Sequence, residues 1–189
     1  MRIDEKLNLV VSVDTEHGEV FVHSVPLSRD VFKKYFMVIS KTFSTIIMEG
    51  LSFVAGPKVA AFTLEKVATD MGIWDGNDGV KNGLMAEIVR LSNVIVSTEN
   101  GWQTRTLQDT IDGKFFSPED IDEVVGVIVF FICVCAMTRR TELKPILDRL
   151  SLWGATTTLL NCMAYAQSLP ILTPNETTIP TVELSSVPR

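Results

Sequence analysis

Three cysteines and two histidines are the residues of this chain best suited to nucleophilic or metal chemistry. Cys133 and Cys135 form a Cys-x-Cys pair, and Cys162 stands alone further along. Tetrahedral zinc needs two more ligands than the pair supplies, and His17 and His23 lie near a predicted turn, far away in the sequence. Because the pair sits in an apolar run, where a thiol behaves as a small hydrophobe, we expect buried free thiols. The sequence predicts no metal site and no cofactor.

Oxygen-bearing side chains also cluster in residues 75–79, which read Asp-Gly-Asn-Asp-Gly. An EF-hand loop that began at Asp75 would need an oxygen ligand, a glycine and a glutamate where the chain has Gly79, Val80 and Ala86. The spacing therefore favours a solvated turn over a calcium site.

Catalytic patterns are missing as well. The sequence has no Gly-x-Ser-x-Gly elbow, no phosphate-binding glycine loop and no His-Glu-x-x-His motif. Nearby carboxylates such as Asp109 and Asp112 are explained by turns and helix ends. We therefore expect a binding protein and not an enzyme, with a small enzyme that lacks a recognisable motif as a remaining alternative.

Composition narrows the class of partner. The chain has 189 residues, of which 46% are hydrophobic, and this suits one domain with tails. The net charge is −6 and the basic residues are scattered, so we expect no nucleic-acid partner. The first residues do not resemble a secretory signal, which predicts a cytosolic protein.

The N-terminal residues 1–27 predict a β-hairpin, because apolar and β-branched residues flank a turn at 14–19. Ser28 is a good N-cap for a following helix. In that helix Phe32, Phe36, Phe43 and Ile47 belong to one apolar stripe, which is either plain core or a surface for a partner.

Residues 28–167 predict a helical body. Further helices are expected from Pro57 to Gly72, from Asn82 to Val94 and, after a loop excursion at 97–117 that holds a short helix at 106–111, from Ser117 onward. Fourteen successive residues without a polar side chain, Val124 to Met137, are too few to cross a bilayer and indicate a buried central helix. A last helix is expected between residues 142 and 166. The predicted fold class is mainly α, a helical bundle-like body with a short hairpin.

Two features predict contact with another molecule. Trp102 lies in the predicted excursion, where so large an aromatic either folds back onto the core or anchors a partner. Residues 168–189 are rich in proline, threonine and serine and cannot pack a core, so they predict an extended arm. The apolar residues of the arm that could bind a partner are Leu169, Ile171, Leu172 and Ile179.

The order of elements resembles the tail assembly chaperones of long-tailed bacteriophages, the gene G type of lambda-like phages. The segments that carry the resemblance are residues 18–28, which lead into a helix, Ser151-Leu152-Trp153-Gly154 and the low-complexity terminus. The resemblance implies a protein of the host cytoplasm that keeps the tape measure protein and the tail tube protein soluble until the tail assembles.

A physical mechanism is available for such a chaperone. An acidic protein with apolar grooves would bind an aggregation-prone apolar helix and keep it dispersed by charge repulsion. The leading alternative is a structural phage component, a head–tail or capsid-attached protein, whose hairpin adds to a neighbour's sheet while its arm wraps a neighbouring subunit. This alternative implies a homo-oligomer.

Overall fold

The protein is an α+β structure built on a five-stranded antiparallel sheet, so the expectation of a mainly α helical bundle is wrong. The computed structural model describes residues 7–15, 18–98, 100–137 and 148–170, without side chains at 52–54, 136 and 150. The strand order is β4-β3-β2-β1-β5. The strands are β1 (Asn8–Thr15), β2 (Gly18–Ser24), β3 (Ser92–Thr98), β4 (Gly101–Thr106) and β5 (Ala155–Thr158).

The predicted hairpin forms, but it occupies the centre of the sheet. β1 and β2 pair in the register Leu9↔Ser24 to Thr15↔Gly18, and β3 and β5 flank them on either side. Outside the hairpin, β5 pairs with Asn8–Val11 of β1 and β3 pairs with Phe21–Ser24 of β2. The half of the hairpin away from its turn is therefore enclosed within the sheet, whose edge strands in the described residues are β4 and β5.

Two long helices follow the hairpin. α1 (Arg29–Met48) begins after the predicted cap, where the Ser28 hydroxyl accepts a hydrogen bond from the Val31 amide. α2 (Ser52–Asp70) begins five residues earlier than predicted, so Pro57 lies inside it. The carbonyl of Leu51 accepts from the amides of both Ala55 and Gly56, which widens the first turn just before the proline.

The helix predicted for residues 82–94 is half wrong. A π-helical turn (Lys81–Met85) continues into α3 (Ala86–Arg90), and the chain then enters β3. Residues 92–98 are mostly β-branched or small, and they pair with β2 through Phe21↔Ile95 and its neighbours. Tertiary pairing therefore overrides a helical spacing of apolar residues that continued past the true end of the helix.

The excursion predicted at residues 97–117 is also ordered for most of its length. It contains the end of β3, then β4, then the expected short helix, α4 (Leu107–Asp112), capped by Thr106. Trp102 consequently lies on a strand, not in a loop.

The central helix is as predicted. α5 (Pro118–Met137) is capped by Ser117 and Asp120, whose side chains each accept a hydrogen bond from the other's amide. Residues 124–134 are all buried. Among the helices that the structure describes, none combines the length and apolar character that crossing a membrane requires.

Over the described residues, the last predicted helix is largely wrong. Residues 138–147 lie outside the described part, a 3₁₀ helix spans Asp148–Trp153, and β5 follows where threonines suit a strand. Gly154 adopts a positive φ of 59°, and its carbonyl accepts from the Ser12 amide, which brings β5 beside β1. Among the described residues of the expected region, α6 (Cys162–Ser168), capped by Asn161, is the one α-helix.

The two faces of the sheet differ in what covers them. The inner face lies against α5, which packs on α1 and α2, and its strand residues join these helices in the main core. These strand residues include Leu9, Val11, Val20, Val22 and Val94. On the outer face, α6 lies beside Phe21 and His23. This division places the two sets of candidate binding residues on different sides of the sheet.

Candidate functional site

The exposed surface of α1 is the first candidate site. Of the four stripe residues, Phe32 and Phe43 are half-buried and pack against the core. Phe36 is 41% exposed and Ile47 is 46% exposed. The Phe32 and Phe36 rings meet edge to face, with centroids 5.7 Å apart. The stripe is thus wider than the surface that α2 and α5 cover, and its outer margin faces solvent.

Three further apolar side chains, which are not among the predicted binding residues, are exposed on this helix pair. Met37 is 67% exposed and Met48 85% exposed on α1, while Phe62 is 53% exposed on α2. A signal was present in the sequence, since Met37 and Met48 are apolar residues outside the core-facing stripe. We call Phe36, Met37, Ile47, Met48 and Phe62 the apolar helix surface.

Basic residues accompany the apolar helix surface. Lys33 and Lys41 are exposed on α1, and Lys34 forms an ion pair with Asp78 at 2.6 Å. The Lys34 ammonium holds the pKa of the Asp78 carboxyl below its usual range through this hydrogen bond. The surface of α1 is therefore locally cationic although the whole chain is acidic.

Trp102 belongs to the second candidate site, on the outer face of the sheet. Its ring lies 5.6 Å from the ring of Phe21, which meets Tyr165 of α6 edge to face at 6.1 Å. The indole Nε1–H donates a 2.9 Å hydrogen bond to the carbonyl of Pro170. Trp102 therefore folds back onto its own sheet and also contacts the end of the described chain. We call Phe21, Trp102 and Tyr165 the aromatic shelf.

Burial and the nearby Glu19 carboxylate raise the pKa of the Tyr165 phenol, in that order of importance. The phenol is consequently the neutral form at physiological pH, with an O–H that can donate a hydrogen bond. Leu169, the one predicted arm residue in the described part, is half-buried just after α6. Ile171, Leu172 and Ile179 lie outside the described residues.

His23 and Asn8 form a buried polar pair that contacts the segment just before α6. His23 Nε2 lies 3.0 Å from the carbonyl oxygen of Leu160, and Asn8 Nδ2 donates to the same oxygen at 2.9 Å. Because a carbonyl only accepts, Nε2 must carry the proton. Nδ1 of His23 and Oδ1 of Asn8 have no hydrogen-bond partner in the described residues. His23 is fully buried, so it positions the segment before α6 and does not face a substrate.

The thiols are placed as the sequence predicts for free cysteines. Cys133 is buried, whereas Cys135 and Cys162 are partly buried. Burial raises the pKa of both Cys133 and Cys135 to about 12 and that of Cys162 to about 11. These thiols are therefore protonated near neutral pH and are poor nucleophiles.

The acidic turn shows no metal-binding arrangement. Within the described ranges, no group of three or more His, Cys, Asp or Glu side chains is close enough to hold an ion. The turn is held by protein contacts, since Asn82 Nδ2 donates to the Gly76 carbonyl and the Gly79 backbone lies tightly against Trp74 and Asp75. His17 is outside the described residues.

Comparisons of the sequence with protein-family models and curated proteins, and of the fold with solved structures, give no match.

Proposed function

We propose that this chain is a binding protein that shields an apolar segment of another protein, and specifically that it acts as a tail assembly chaperone in a phage-infected cell. The partners would be the tape measure protein and the tail tube protein, bound in the host cytoplasm. The observation that carries the proposal is the apolar helix surface, whose five large side chains are between 41% and 85% exposed on two consecutive helices.

The residue types of this surface suit an adaptable binding site. Met37 and Met48 are unbranched and flexible, so they can repack against partner side chains of different shapes. Phe36 and Phe62 add rigid aromatic area that loses little entropy on binding. A surface of this kind accepts the apolar face of an amphipathic helix.

Charge adds a second condition on the partner. Lys33 and Lys41 flank the apolar residues, so they favour a partner helix that carries acidic residues beside its apolar face. This chain contributes a net charge of −6 to each complex that it forms. Complexes of like charge repel one another, and this repulsion opposes aggregation.

Co-expression with a tape measure protein tests the proposal. The chain should raise the soluble fraction of that partner, and the double variant Phe36→Ser with Met48→Ser should reduce the gain. Both residues are exposed, so the thermal midpoint should change little. Ser44→Ala is the matched control, because Ser44 is exposed on the same helix and its replacement removes neither apolar area nor charge. If solubility is unchanged by the wild-type chain, the proposal fails.

The structural phage component remains a second candidate because the two edges of the sheet are open to pairing. β4 and β5 each have one neighbouring strand in the described residues, so their outer backbone groups could pair with another copy. This candidate predicts closed rings or lattices of the purified chain in electron micrographs, with no gain in partner solubility.

A further inference from the structure

A hydrogen bond joins Trp102 to Pro170, the last residue that the structure describes. Trp102 is on β4, an edge strand, and its ring packs on Phe21 on the outer face of the sheet. Phe21, Trp102 and Tyr165 are each only partly buried. The aromatic shelf thus leaves aromatic surface uncovered directly beside the last described residue.

The backbone at this point is extended. α6 ends at Ser168, and Leu169 has φ −68° and ψ 152°, which are polyproline II values. The ring of Pro170 restricts its own φ to the same region. The chain therefore enters residues 171–189 from an extended geometry, with the preceding carbonyl already bound to an indole N–H.

The length and composition of that segment fit the space available. Nineteen residues follow Pro170, and about six extended residues, at roughly 3.3 Å each, equal the width of a five-stranded sheet. The segment contains Pro174, Pro180 and Pro188. Proline-rich extended chains have no internal hydrogen bonds, and they dock on aromatic surfaces that offer N–H donors to their carbonyls.

Exposed apolar side chains also occur on and just before α6, the helix that carries Tyr165. Leu159, Leu160 and Met163 are all exposed. Ile171 and Leu172 follow Pro170 directly, so they are the first residues able to cover such a surface.

We propose that the aromatic shelf is the docking site for this chain's own C-terminal segment, residues 171–189, which follows directly on the Trp102–Pro170 hydrogen bond. The site is separate from the apolar helix surface, and the proposal does not depend on the proposed function.

Proteolysis of the full-length chain tests this docking. A glutamyl endopeptidase cleaves after Glu176 in the segment, and intact-mass spectrometry gives the rate. Trp102→Phe keeps an aromatic ring but removes the indole donor, so cleavage should accelerate about fivefold, the effect of one hydrogen bond. Trp102→Ala also removes the ring and should accelerate cleavage further. Phe36→Ala, on the other side of the sheet, is the control and should match the wild type.

Two outcomes would overturn the proposal. The first is equal cleavage rates after Glu176 in the wild type, Trp102→Phe and Trp102→Ala. The second is protection that rises with protein concentration together with a dimer in native mass spectrometry, because the segment would then dock on a second copy. Circular dichroism of each variant, recorded before the protease is added, separates undocking from unfolding.

Discussion

Gly126→Ala tests the contact between the two most closely packed helices, α2 and α5. Gly126 faces the Pro57 carbonyl, and a Cβ at this position would approach that oxygen more closely than the 3.0 Å below which real Cβ contacts are essentially never found. Ordinary contacts begin at 3.4 Å, so the helices must separate by more than about 0.4 Å. The obstacle is backbone, and no side-chain rotation can relieve it.

Two opposing effects determine how much Gly126→Ala changes the free energy of unfolding. Alanine in place of glycine in a helix interior stabilises by about 1 kcal/mol. Overpacking a dense core costs about 1–3 kcal/mol, and a backbone obstacle places Gly126 at the upper end. The net expectation is a loss of about 2 kcal/mol in the free energy of unfolding. For a chain of this size, that corresponds to a fall of about 4–8 °C in the thermal midpoint.

Differential scanning calorimetry or thermal circular dichroism measures this shift. Ser44→Ala, at an exposed position on α1, reports the helix propensity without a packing change. Gly56→Ala in the same interface should cost less, because its Cβ would meet the Phe130 ring at 2.6 Å, and a side chain can shift slightly. A midpoint for Gly126→Ala equal to or above that of the wild type would refute the close approach of α5 to Pro57.

Three further predictions concern the core and the thiols. Ile128→Asp places an unpaired charge at a fully buried position and should lower the free energy of unfolding by about 3–5 kcal/mol, which would be seen as loss of the cooperative thermal transition. A folded variant with an unchanged thermal midpoint would contradict the burial of α5. Ser117→Ala should lower the free energy of unfolding in urea by about 1 kcal/mol, because it removes the α5 cap, and an unchanged midpoint concentration would show that the cap contributes nothing. With a pKa of about 11, only about one Cys162 thiol in a thousand is ionised at pH 8, so a thiol reagent should label it slowly and faster as the pH rises. Labelling of Cys133 should be slower still. Rapid labelling of all three cysteines in the native protein would contradict their burial.

Helix caps, apolar runs and turn residues predicted the elements that do not depend on a distant part of the chain. Ser28 with its first-turn acid fixed the start of α1, and Ser117-Pro118 fixed the start of α5. The apolar run of α5 is buried because it is apolar on all sides, and no other arrangement removes it from water. The two-strand hairpin was likewise visible from alternation and turn chemistry.

The sheet was missed because long-range pairing decides it. Leu84, Ile88, Leu91 and Ile95 keep a helical spacing across the boundary where α3 becomes β3, so periodicity alone cannot find the change. Strand pairing with β2 supplies the missing information. β5 depends in the same way on β1, a partner about 145 residues earlier in the chain.

The candidate binding residues were predicted in part for a related reason. An apolar stripe shows which side of α1 avoids water, but its width relative to the neighbouring helices decides which residues remain exposed. That is why Phe32 and Phe43 pack inward while Phe36 and Ile47 do not. For Trp102 the decisive fact is the sheet itself, since the aromatic shelf requires β2, β4 and α6 to meet.

The sheet also makes the two proposals independent. The apolar helix surface is on the helix layer that packs against the inner face, while the aromatic shelf is on the outer face. Phe36 and Trp102 lie on opposite sides of the sheet, so substitutions at these two positions should have additive effects on stability. A partner bound at α1 therefore should not change the cleavage rate after Glu176. Should partner binding and cleavage prove coupled, the C-terminal segment would compete with the partner for one surface, and the division of this molecule into two binding faces would have to be abandoned.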